Sequence, residues 1–111
     1  MKKKTHATKV YNYLNEKYFD GVLPVVKFEF VNDATFGAMA VSDERKYFRI
    51  IFSTAFHYDF VEIMLHEMCH IWQFITIYGK KSHGKEFKEI ALDITQKSGY
   101  TIVKHQDMEW R

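Results

Sequence analysis

In the stretch HEMCHIWQF, His66 and His70 stand four residues apart with Glu67 between them. A helix turns about 100° per residue, so the two imidazoles lie about 40° apart on one face, one turn above the other. Two imidazoles so placed can bind the same zinc ion. Glu67 falls about 60° from His70 on the same side, where its carboxylate can reach a water activated by the metal without ligating the metal itself. This is why the pattern H-E-x-x-H suits metal-assisted hydrolysis. With six histidines and eight glutamates in 111 residues, chance yields about 0.02 occurrences of it. The competing reading is two histidines without a ligand. Under that reading an otherwise apolar helix desolvates two imidazoles and a carboxylate with nothing to offset the cost.

A catalytic zinc site takes three protein ligands and keeps its fourth position for water. His83 is the best placed third ligand: it opens the next helix, after a glycine-marked turn and 12 intervening residues. Glu86, one turn later, competes with it, and spacing alone leaves a His/His/Glu site open. Cys69 points about 60° to the other side of His66, among Met68, Ile71 and Trp72, where a small core residue is the expectation. His57 precedes the helix and approaches from its far end, and His6 and His105 fall in terminal segments expected to fray.

A zinc-bound histidine also needs a partner for its other ring N–H. Asp59, Glu62 and Gln73 come within about 40° of His66 on the helical wheel, so each is a candidate. Tyr58, Tyr78 and Tyr100 could donate to an oxyanion, although in a chain with seven tyrosines the default for each is packing.

The elements that must position these groups are legible in the pattern of apolar residues. Val10, Leu14 and Tyr18 recur every four positions and predict a helix over 8–19, stopped by Asp20-Gly21. Val26, Phe28 and Phe30 alternate with Lys27 and Glu29 and predict a strand within 25–31. The stretches 35–42 and 47–53, separated by the charged run DERK, read as a hairpin, with Gly37 marking a bulge or a close backbone approach. Residues 58–78 form a long apolar run without proline or glycine, which predicts a buried central helix with Asp59 as N-cap or first-turn acid and Gly79 as its stop. Phe87, Ile90, Ala91 and Ile94 lie at helical spacing within 83–98, ended by Gly99. Residues 100–104 read as one more short strand, and 105–111 as a frayed tail.

Composition bounds the class. The chain is 47% hydrophobic and 17% aromatic, as a packed domain is and a disordered chain is not. At 111 residues one domain over 1–111 is expected, with flexible ends at 1–7 and 105–111. A single cysteine excludes a disulfide framework and a paired-cysteine zinc ribbon. No run reaches the ~20 apolar residues of a membrane span, and the basic start lacks a secretory apolar segment. The expectation is a soluble cytoplasmic monomer with no membrane partner. The net charge of +2 says little, but Lys80, Lys81, Lys85 and Lys88 cluster around His83 and make single-stranded DNA a candidate partner.

The stretches YNYLNEKYFDGVLP (11–24), FGAMAV (36–41), LHEMCHIWQ (65–73) and HGKEFKEIA (83–91) together resemble the SprT-like zinc metallopeptidase family, whose eukaryotic members include Spartan. The resemblance runs from about residue 8 to 104, and H-E-M-C-H followed by H-G-x-x-F is its most specific part. It implies His66, His70 and His83 as ligands of one zinc ion, and Glu67 as general base. It implies a minimal zincin-like α+β fold, about three main helices on a small, mostly antiparallel sheet whose edge strand can hold an extended peptide. Spartan-type members cleave proteins bound or crosslinked to DNA. Longer members carry a cysteine-rich zinc ribbon, which one cysteine cannot build.

Residues and resemblance together lead to the expectation of a zinc-dependent endopeptidase. Two other classes fit the same histidines: a nucleic-acid- or protein-binding module with a structural zinc, and a non-peptide amide hydrolase.

Overall fold

The computed structural model describes residues 2–43, 46–76, 84–100 and 102. In chain order these form α1 (Lys2–Tyr18), β1 (Val26–Val31), β2 (Ala38–Asp43), β3 (Tyr47–Ser53), α2 (Phe60–Thr76) and α3 (Lys85–Ser98). The result is an α+β fold: three helices and a three-stranded sheet in the order β1-β3-β2.

Helix α1 starts six residues before the expected position, and residues 2–7 are helical where a flexible end was expected. The reason is tertiary. Ala7 is fully buried, the His6 ring stacks on Phe60 at 5.8 Å, and Lys3 Nζ lies 5.8 Å from the centre of the Phe30 ring. Lysine, threonine and histidine carry no apolar periodicity, so these contacts leave no trace in the pattern. The helix ends where Asp20-Gly21 predicts. Asp20 has φ 55° and Gly21 φ 71°, and the Gly21 N–H donates to the Asn15 carbonyl at 2.9 Å. Any side chain at Gly21 combines left-handed strain with a Cβ only 2.6 Å from Glu16 Oε2. The Asn15 amide grips both main-chain groups of Leu23 at 3.1 Å.

The sheet is mixed rather than mostly antiparallel. β2 and β3 form the expected hairpin, with Ala38 opposite Phe52 and Asp43 opposite Tyr47. β1, however, pairs with β3 in parallel, Val26 beside Phe48 and Val31 beside Ser53. Alternation identifies a strand but not its direction, which depends on how the connection from β1 crosses to β2. Gly37 is buried just before β2, and its carbonyl accepts the Ser53 N–H at 2.8 Å, a close backbone approach. One sheet face carries Val26, Phe28, Ala38, Phe48, Ile50 and Phe52 into the core. The opposite face carries Arg49, whose guanidinium donates to Asp43 at 2.9 Å and Glu29 at 3.2 Å. Half-exposed pairs of this kind add little to stability.

Helix α2 begins as expected: Asp59 Oδ1 accepts the N–H groups of Val61 at 3.0 Å and Glu62 at 3.1 Å. From Ile63 to Ile71 every residue is buried, so this is the central helix that the apolar run predicts. Helix α3 buries Phe87, Ala91 and Ile94. It closes at Gly99, whose φ of 81° lets its N–H reach the Thr95 carbonyl at 2.9 Å. Among the described residues no helix is long and apolar enough to cross a membrane. The expected strand 100–104 is described only at Tyr100 and Ile102, and the tail 105–111 lies outside the described residues.

Candidate metal centre

The helical spacing of His66 and His70 brings their rings to 5.0 Å between centroids, at 68° to one another. Both sit in the buried middle of α2: His66 and Glu67 are fully buried and His70 is 4% exposed. Each ring is oriented by an oxygen. His66 Nδ1 is 3.2 Å from the Ile102 carbonyl, and His70 Nδ1 is 3.2 Å from Gln73 Oε1. Neither oxygen can donate, so both Nδ1 atoms carry the proton. In the neutral imidazole the lone pair is then on Nε2.

The described donor set therefore fits zinc in three respects. The candidate donor atoms are imidazole nitrogens, their tautomers are set by outer hydrogen bonds, and the rings are held neutral. Burial lowers the His66 pKa below the ordinary histidine value, against the opposing pull of the Glu67 charge and the Ile102 hydrogen bond. Burial likewise brings His70 down to about 4, with Glu67 and Gln73 opposing and the neighbouring His66 adding to the drop. Neutral imidazole is the form a metal needs.

This depression has a sign for stability. Above pH ~6.5 both folded and unfolded His70 are neutral and its contribution is complete. As the pH falls from there towards about 4, the unfolded chain takes up a proton that the folded chain refuses. Stability is thus lost on acidification across that window. For the metal-free protein the expected loss reaches roughly 3 kcal/mol from His70, read by urea unfolding at a series of pH values; a flat profile from pH 7 to 4 contradicts it.

Helix α3 lays Phe87 over the pair. The ring stacks on His70 at 4.3 Å and 22° and meets His66 at 5.0 Å. Phe87 is fully buried, so Phe87→Ala is expected to cost about 3–5 kcal/mol, measurable by chemical denaturation. Below about 1.5 kcal/mol the ring is not a principal contact between α3 and α2.

Glu86 lies in the first turn of α3, partly exposed. His83, Tyr78, Lys80, Lys81 and His105 lie outside the described residues; His83 is the chain neighbour of Gly84, the N-cap of α3. Among the described residues no three metal-ligating side chains come together. Cys69 is fully buried in the core. His57 is exposed, and His6 stands on Phe60 rather than on the α2 histidines. Of the three candidate partners for the ring N–H groups, Gln73 faces His70 Nδ1 with its Oε1. Asp59 is used as the cap of α2, and Glu62 lies in its first turn.

One feature escapes sequence reasoning. The acceptor for His66 is a main-chain carbonyl, which no residue type announces; only the apolar character of 100–103 hints that the chain returns to the core. Tyr58 is tied to the Ser53 carbonyl at 2.9 Å, and its pKa is pushed up to about 12 by burial and secondarily by the charge of Glu67. The hydroxyl therefore stays protonated.

The sequence model of the SprT-like family matches residues 7–107. The chain belongs to the SprT-like family. Among curated proteins none matches the chain. Membership suggests a zincin-like, metalloprotease-type domain, and both histidines of the H-E-x-x-H motif lie inside the matched span. So do His83 and Glu86, the two competitors for the third ligand position. The SprT-like segment H-G-x-x-F includes Phe87, so the ring that covers the histidine pair belongs to the same motif as His83.

Proposed function

We propose that this SprT-like chain is a zinc-dependent endopeptidase. The observation that carries the reading is the His66–His70 pair, buried on α2 with both Nδ1 atoms held on oxygens and Glu67 in the same turn. His66 and His70 would hold one zinc ion through Nε2, with His83 as third ligand on the strength of the family motif and its place beside the α3 N-cap. Zinc bound there supplies a Lewis acid that polarises a carbonyl and acidifies water.

The chain's own groups do the rest. Glu67 takes the proton of the attacking water and returns it to the leaving amine. Gln73 and the Ile102 carbonyl hold the two imidazoles in one tautomer and orientation. Phe87 shields both rings from solvent, which strengthens the electrostatic interactions within the site.

DNA-bound or DNA-crosslinked protein is the proposed substrate, supported by the family resemblance. Single-stranded DNA is the proposed partner. Lys85 and Lys88 are exposed on α3, the helix that carries Phe87 onto the histidines, and they support that partner. The proposed setting is the cytoplasm, supported by the single cysteine.

The test is a cleavage assay on a DNA-bound protein, with and without single-stranded DNA, before and after zinc is removed by chelation. Loss of cleavage on chelation and its return with zinc are expected. Salt-sensitive DNA binding without cleavage under any condition supports the binding-module reading instead.

A further inference from the structure

We propose that Thr95 is a positioning residue for the zinc ligand His66, acting through the main chain of Ile102. The inference rests on the zinc reading of the α2 histidines and extends it to a residue on the next helix, two hydrogen bonds away.

The path consists of two hydrogen bonds. Ile102 donates its N–H to Thr95 Oγ1 at 3.2 Å, and its carbonyl accepts the Nδ1–H of His66 at 3.2 Å. Its side chain is fully buried, so Ile102 is held through its N–H, its carbonyl and its packing. The return of the chain is anchored on the same threonine, because the Gly99 N–H in the left-handed cap donates to the Thr95 carbonyl at 2.9 Å. One residue of α3 thus holds Gly99 with its main-chain carbonyl and Ile102 with its hydroxyl.

The physical consequence follows from what Ile102 does. A backbone carbonyl is a rigid acceptor only as long as its own peptide chain is fixed. Removing the Thr95 hydroxyl leaves a part-buried N–H to find water or to drag the segment away. Either change loosens the acceptor that keeps His66 in the tautomer with its lone pair on Nε2. His70 is oriented separately by Gln73, so the effect should fall on one histidine of the pair.

The experiment uses the full chain with three substitutions, Thr95→Val, Thr95→Ser and Thr95→Ala. Zinc affinity is measured by competition with a chromophoric chelator, and imidazole tautomers of the metal-free proteins by long-range 1H–15N NMR. Thr95→Val is expected to weaken zinc binding about tenfold, in the range seen for outer hydrogen-bond partners of metal ligands. It should also mix the tautomers of His66 and leave those of His70 unchanged. Thr95→Ser keeps the hydroxyl and should restore both readouts. Thr95→Ala, which removes the hydroxyl without adding bulk, carries the same expectation should Thr95→Val not fold. Unchanged zinc affinity together with an unchanged His66 tautomer in the valine and alanine variants overturns the proposal. A wild-type chain that binds no zinc overturns the zinc reading instead, and the tautomer comparison still decides the role of Thr95.

Discussion

Glu67→Gln is expected to keep one zinc ion per chain while lowering peptide cleavage by about 10²- to 10⁴-fold, the usual contribution of a positioned general base. The two side chains have nearly the same shape, so the buried packing around position 67 is preserved. What changes is charge and basicity. The amide cannot take a proton from water, and the negative charge that opposes the low pKa values of His66 and His70 disappears. The substitution should therefore bring both imidazoles further below their ordinary value, which leaves them neutral and still able to ligate. Metal content is measured by atomic absorption and cleavage by product analysis on the same preparation. Cleavage at the wild-type rate removes Glu67 from the mechanism; loss of zinc together with activity makes the residue structural.

The second large effect concerns the third ligand. His83→Ala is expected to weaken zinc binding as strongly as His66→Ala or His70→Ala, by at least the 10- to 100-fold associated with losing even an outer hydrogen-bond partner. Glu86→Ala should leave it nearly unchanged. Glu86 is partly exposed in the first turn of α3, where an acid is favoured by the helix dipole whatever else it does. Competition with a chelator distinguishes the two directly. Zinc binding that survives His83→Ala and fails in Glu86→Ala reverses the assignment.

The pair His66 and His70 is legible because helical geometry converts a spacing of four into a shared face, and the apolar run around it says that the face is buried. The cap Asp59 and the stops at Gly21 and Gly99 are legible because each uses a local backbone rule. Gln73 is legible only as one of three residues on the correct side of the helix; choosing among them needs rotamers and the competing demand on Asp59 at the cap.

The remainder depends on distant parts of the chain meeting. Ile102 reaches His66 across 36 residues through a main-chain atom, and Phe87 reaches His70 from another helix. The parallel pairing of β1 with β3 is likewise a property of the connection and not of either strand's alternation. The six helical residues that precede the expected start at Thr8 illustrate the same limit: Lys2–Ala7 have no amphipathic signature, and it is the contacts of His6 and Ala7 that order them.

An open, catalytic zinc centre built on α2 has a direct signature in the zinc K-edge absorption spectrum of the metal-loaded chain. Nitrogen ligands at about 2.0–2.1 Å from three histidines, with one further oxygen from solvent, are expected. A sulfur shell at about 2.3 Å from Cys69, or a site closed by four protein ligands, contradicts it.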